Sequence, residues 1–199
     1  MTAFDANLKG VTVYRDGSRT GVLVTDTTKN NTFEQRNAPK RPIDLECDIK
    51  HLKVKGNGFT VIVGLLDNKP YEVFAVPELI LEGYSKGIIS KKSKGKYNVI
   101  IDNSKYHQLA YMMTDEQEAI TRLISTALRH GAEIRFIVEQ LQKTDGELHS
   151  FTKAIARTLK AYIPDGTNST VSCLDCGSKS VVFEEGCAVC KECGSSKCG

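Results

Sequence analysis

The chain has 199 residues, enough for one or two domains, and is 40% hydrophobic and 26% charged, which excludes a wholly disordered polypeptide. Its 27 basic and 24 acidic residues leave a net charge of only +3, far from the basic excess of most nucleic-acid-binding proteins. No apolar run reaches the roughly 18 residues a bilayer span needs, and the first ten residues lack the apolar stretch of a secretory signal, so a cytoplasmic protein is expected.

Segment 1–24 opens with β-prone residues at 10–14, then turn chemistry at Arg15-Asp16-Gly17-Ser18, then a second short strand at 21–24. Residues 25–42 are polar, poor in aliphatics and hold two prolines, as a linker would. An α+β domain is expected over 43–166. Its first strand alternates from Cys47 to Lys55, but Ile49 and Val54 are out of phase, which predicts a β-bulge. Cys47 reads as a small buried hydrophobe. Residues 59–66 form a nearly continuous apolar run, a central strand, and Pro70 can only begin the next strand, because it has no N–H for a ladder. These make a three-stranded meander. A short helix or loop over 77–86 precedes a hairpin with a lysine-rich tip at 91–96, read as a solvated turn, and residues 106–113 read as a further strand.

Helices follow. Thr114 and Gln117 have capping-box spacing before the stripe Ile120, Leu123, Ile124, Ala127, Leu128, and Gly131 sits where that helix should stop. A second helix is predicted over 132–142, and a third from Ser150 to the Pro164-Asp165-Gly166 stop. Strands before helices, with no alternation, predict an antiparallel α+β fold rather than a doubly wound sheet.

Six of the seven cysteines crowd into the last segment, 167–199, with the spacing Cys173-x2-Cys176-x10-Cys187-x2-Cys190-x2-Cys193-x4-Cys198. In a chain without a signal peptide, such crowding points to metal or redox chemistry rather than disulfide staples. Paired Cys-x2-Cys turns facing each other across a hairpin supply the four soft donors of a structural zinc ion, so a small zinc ribbon is expected. Four ligands leave two cysteines over, and two partitions compete. In the first, Cys173, Cys176, Cys187 and Cys190 hold zinc and Cys193 and Cys198 are free; in the second, the Cys-x2-Cys-Gly knuckles Cys173/Cys176 and Cys190/Cys193 hold zinc and Cys187 and Cys198 are free. The first is preferred, because a Gly-Ser-Ser-Lys spacer near a chain end lets two thiols close and reopen, and Lys197 favours the Cys198 thiolate.

KGVTVYRDGSR, at 9–19, resembles the last barrel strand and following turn of adenosylcobalamin-dependent (class II) ribonucleotide reductases. The tail CLDCGSKSVVFEEGCAVCKECGSSKCG is similar to the cysteine-rich C-terminus of the same enzymes, and Arg41-Pro42 through Lys69-Pro70-Tyr71-Glu72-Val73-Phe74 resembles their TSCPD domain. The chain departs from a complete reductase in lacking the barrel, the nucleotide site and the radical cysteine. The resemblance therefore implies the C-terminal component of a split reductase, with adenosylcobalamin and the ribonucleotide mainly on a separate large catalytic subunit. It also implies that Cys193 and Cys198 re-reduce that subunit's active-site disulfide and are recharged by a thioredoxin- or glutaredoxin-like protein. The 1–24 strand would complete the partner's barrel, with Tyr14, Arg15 and Arg19 near the partner or substrate.

The rival class is a zinc-ribbon adaptor for nucleic acid. The tail from Cys173 carries three lysines against four acidic residues and one aromatic, a poor surface for phosphates. The four histidines lie on different elements without metal spacing, and no GxGxxG or Walker A motif is present.

Overall fold

A computed structural model describes residues 36–77, 83–102, 104–146 and 149–198. The segment 1–24, with Tyr14, Arg15 and Arg19, lies outside the described residues.

Six antiparallel strands form the main sheet: β1 (Asp44–Val54), β2 (Asn57–Leu66), β3 (Lys69–Pro77), β4 (Lys86–Ser93), β5 (Lys96–Ile101) and β6 (Ser104–Gln108), in the order β3-β2-β1-β4-β5-β6. The expected meander is thus half of a larger sheet, extended through the pairing of β1 with β4. Three helices follow, α1 (Asp115–Arg129), α2 (Ile134–Gln142) and α3 (His149–Lys160), and the chain closes with a second sheet of β7 (Val181–Glu184), β8 (Cys187–Cys190) and β9 (Ser196–Lys197). The α+β class and the element order agree with the sequence reading. Thr114 caps α1 in a capping box with Gln117, as the spacing required, and Gly131 follows the helix at φ +80°, where a side chain would be strained.

The phase slip between Ile49 and Val54 is not a bulge. β1 and β2 keep an uninterrupted register from Cys47↔Gly64 to Val54↔Asn57. The strand instead serves two cores. Cys47 and Ile49 face a cluster with Ile62, Val76, Ile89, Val99 and Leu109, while Val54 faces the helices with Val61, Val73, Ile124, Phe151 and Leu159. A strand with each half buried on a different face must switch parity, because side chains alternate with period two. β2 is buried on both faces, which is why it reads as a continuous apolar run.

The sheet curls, so that the Phe74 ring on β3 lies 5.2 Å from the Tyr97 ring on β5. Leu109 fills the trough between them. It sits in a single 3-10 turn (Leu109–Met112) where a continued strand was expected from sequence. β6 stops at Gln108, and the chain tightens to plug the second core with Leu109 rather than run on along the edge.

Glu72 on β3 is fully buried and ionically bound from two sides. Arg41 donates to it at 2.6 and 3.0 Å, and Arg129 at the end of α1 at 2.7 Å. Arg41 also donates to the carbonyls of Ile43 and Ile89 and stacks over Tyr97, while Arg129 stacks over Tyr71. Gly64 leaves the room for this carboxylate: a Cβ there would meet Glu72 Cγ at 2.8 Å.

Candidate metal centre and disulfide

Two short segments, Cys173-Leu174-Asp175-Cys176-Gly177 and Cys190-Lys191-Glu192-Cys193-Gly194, fold the same way. In each the glycine N–H donates to the carbonyl of the first cysteine, at 3.0 and 2.9 Å, and the first cysteine's N–H donates to Ser178 or Ser195, at 2.8 Å in both. Both glycines take φ +72°, the left-handed backbone that closes such a knuckle and that glycine adopts without strain. The two turns face each other and bring the sulfurs of Cys173, Cys176, Cys190 and Cys193 within 4.8 Å of one another.

Zinc lies about 2.3 Å from each thiolate, which places tetrahedral sulfurs about 3.8 Å apart. The Cys173–Cys193 and Cys176–Cys190 pairs are 3.6 Å apart. The backbone N–H groups of Cys193 and Glu192 hold Cys190 down to about 7. Cys176 gains from the Ser178 N–H but is pushed up to about 12 by the neighbouring sulfurs and by burial. Four crowded thiols cannot all ionise unless a positive ion shares them. The four-cysteine cluster can bind a metal such as zinc.

The cluster has the membership of the second partition rather than the preferred first one. Cys187 is not in the cluster, and Cys193 is. Cys187 and Cys190 are the two ends of β8, three residues apart on an extended strand, so their side chains leave opposite faces and cannot meet at one ion. The sequence signal was the residue after each pair. Gly177 and Gly194 permit a knuckle, whereas Lys191 follows Cys190. The predicted Cys193/Cys198 pair is likewise not brought together. Cys198 is disulfide-bonded to Cys187, across the β8–β9 ladder and one position beyond the Ala188↔Lys197 pair. Cys198 is exposed and Cys187 half-buried.

The ribbon is anchored to the larger domain. Gly166 and Ser169 donate to Phe183 and Val181 of β7, and Phe183 donates back to Thr167. Phe183 is buried in the helix-side core, and Glu139 on α2 accepts from the Thr170 hydroxyl at 2.6 Å and its N–H at 3.2 Å. Residues 167–172, a polar linker by composition, therefore act as a splint. Cys47 is buried as expected, and burial pushes its thiol up to about 12, which disfavours the thiolate.

If the cluster is the metal site, Cys193→Ser is expected to lose the bound zinc and unfold the ribbon, because a structural zinc contributes on the order of 10 kcal/mol to such modules. Cys187→Ser should keep it. Metal analysis of the purified variants checks this; zinc lost from Cys187→Ser but kept by Cys193→Ser would restore the other partition.

A family model described as the NrdJ homologue C-terminal domain matches residues 45–164, more than half of the chain. The chain belongs to this family. Membership points to a ribonucleotide-reductase-related role for this NrdJ homologue domain. The matched span ends where the third helix gives way to the splint, so the ribbon and its disulfide lie outside it. Arg41, which grips Glu72, stands just ahead of it. No curated protein and no solved structure matches the chain. No helix among the described residues is long and apolar enough to cross a membrane.

Proposed function

We propose that this NrdJ-homologue chain is the electron-delivering C-terminal component of a split, adenosylcobalamin-dependent ribonucleotide reductase. In this reading the cobalamin and the ribonucleotide bind on a separate catalytic subunit. Each turnover there oxidises two active-site thiols to a disulfide. This chain returns the two electrons through Cys187 and Cys198, in place of the Cys193/Cys198 pair expected from sequence.

The supporting observation is the division of labour among six cysteines. Four converge in a metal-type cluster, and the remaining two form one disulfide on the ribbon's outer ladder. A metal-bound quartet holds the carrier in shape, and the leftover pair is free to cycle. The Cys198 thiolate attacks the catalytic disulfide and forms a mixed disulfide, releasing one thiolate on the partner. The Cys187 thiolate then attacks the Cys198 sulfur, closes the Cys187–Cys198 bond and releases the second partner thiolate, and both partner thiolates take protons from solvent. A thioredoxin- or glutaredoxin-like dithiol reopens the pair. Cys198 suits the first attack because it is exposed and stands beside Lys197.

The reading is tested by trapping. Reduced Cys187→Ser protein, mixed with the oxidised catalytic subunit, should accumulate a mixed disulfide at Cys198, visible by non-reducing electrophoresis and peptide mass spectrometry. Linkage through Cys193 instead, or no linkage at all, would reject it.

A further inference from the structure

A cleft of about 770 Å³ opens between the ribbon and the face of α2 and α3. Three cations on α3, Lys153, Arg157 and Lys160, stand at i, i+4 and i+7 and so share one helix face. Lys55 from the β1–β2 turn and Lys197 from β9 add two more cations to the lining. Two acids also line the cleft, Glu139, which accepts from Thr170, and Asp175, which accepts from the Ser195 hydroxyl; five cations therefore face two carboxylates.

Lys160 is the telling member. It is only 7% exposed, and no acidic side chain among the described residues pairs with it. Its charge is disfavoured first by burial and then by Arg157, Lys153 and Lys197. Its stem is buried, but its ammonium is not among the buried unpartnered atoms and opens on the cleft among like charges, where an anion would stabilise it. The ribbon side of the cleft presents Val171 and Leu174, apolar side chains 53% and 77% exposed.

We infer that this cleft binds a phosphorylated small molecule, its phosphates held by Lys153, Arg157, Lys160 and Lys197 and its less polar part resting on Val171 and Leu174. The volume lies within the range of small-molecule sites. Several convergent cations match a polyanion better than a single carboxylate. Three of these cations lie on α3 and one on the ribbon, so a bound phosphate would also bridge the ribbon to the helices. The inference is independent of the redox reading, because binding is measured with no catalytic partner and no turnover.

The test is calorimetric titration of the full, zinc-loaded chain with ADP, pyrophosphate and adenosine. ADP should bind, pyrophosphate should bind more weakly, and adenosine should not bind. Lys160→Met and, separately, Lys197→Gln should each weaken ADP by about tenfold or more, while Lys92→Gln at the β4–β5 hairpin tip should change nothing. Lys160→Met should also raise the melting temperature of the unliganded protein, a gain that a merely structural lysine would not give. No heat from ADP or pyrophosphate, adenosine binding as tightly as ADP, unchanged affinity in folded Lys160→Met and Lys197→Gln, or a single-stranded oligonucleotide far outcompeting ADP would each overturn the inference.

Discussion

Replacing Cys187 and Cys198 together by serine is expected to stop thioredoxin-driven turnover of the reconstituted reductase and to leave dithiothreitol-driven turnover near the unaltered rate. A small dithiol can reach an active-site disulfide directly, whereas a reductant protein needs an exchangeable intermediary. The double variant should keep its zinc, because neither sulfur belongs to the four-cysteine cluster. That retention separates loss of exchange from loss of fold. Each single variant should be as inactive with thioredoxin as the double, since an exchange relay needs both an attacking and a resolving thiol. Thioredoxin-driven rates that survive the double substitution would exclude this pair, and equal loss with both reductants would show damage to assembly rather than to electron delivery.

Glu72→Ala is expected to be the most destabilising single change in the larger domain. The carboxylate is fully buried and takes hydrogen bonds from both Arg41 and Arg129. Removing it strands two cations, Arg41 itself being almost wholly buried. Breaking a buried ion pair from one side costs about 3–5 kcal/mol, and in a domain of this size each kcal/mol lowers the melting temperature by roughly 2–4 °C. A loss of about 6–20 °C in a calorimetric scan is therefore expected. The network joins the segment before β1, strand β3 and the end of α1, so the variant should also loosen α1 in hydrogen exchange. A melting temperature unchanged in Glu72→Ala would mean that the arginines find solvent or new partners at no cost.

The resemblance that singled out Arg41-Pro42 and Pro70-Tyr71-Glu72 was carried by residues that meet in space. Arg41 grips Glu72, and the Tyr71 hydroxyl donates to the Pro39 carbonyl at 2.7 Å. Nothing in the spacing of 31 residues announces that pair, because an ion pair between distant segments has no periodicity.

What the sequence determined by itself is local. The capping box at Thr114 and Gln117, the stop at Gly131 and the helical stripes all follow from forces acting within a few residues, while Pro70 falls one residue inside β3, on the edge of the sheet, rather than at its start. The crowding of cysteines likewise announced a metal-type module. The sequence offered two partitions of the six sulfurs, and the tertiary structure decided between them. Cys187-x2-Cys190 and Cys190-x2-Cys193 have the same spacing, and the strand at one and the Gly194-closed knuckle at the other send their side chains apart or together. It also decided that β1 faces two cores, that Leu109 turns inward, and that the cations of α3 look across at Lys197. Each depends on which surfaces are brought together by burial, a quantity summed over the whole fold and carried by no short stretch of chain.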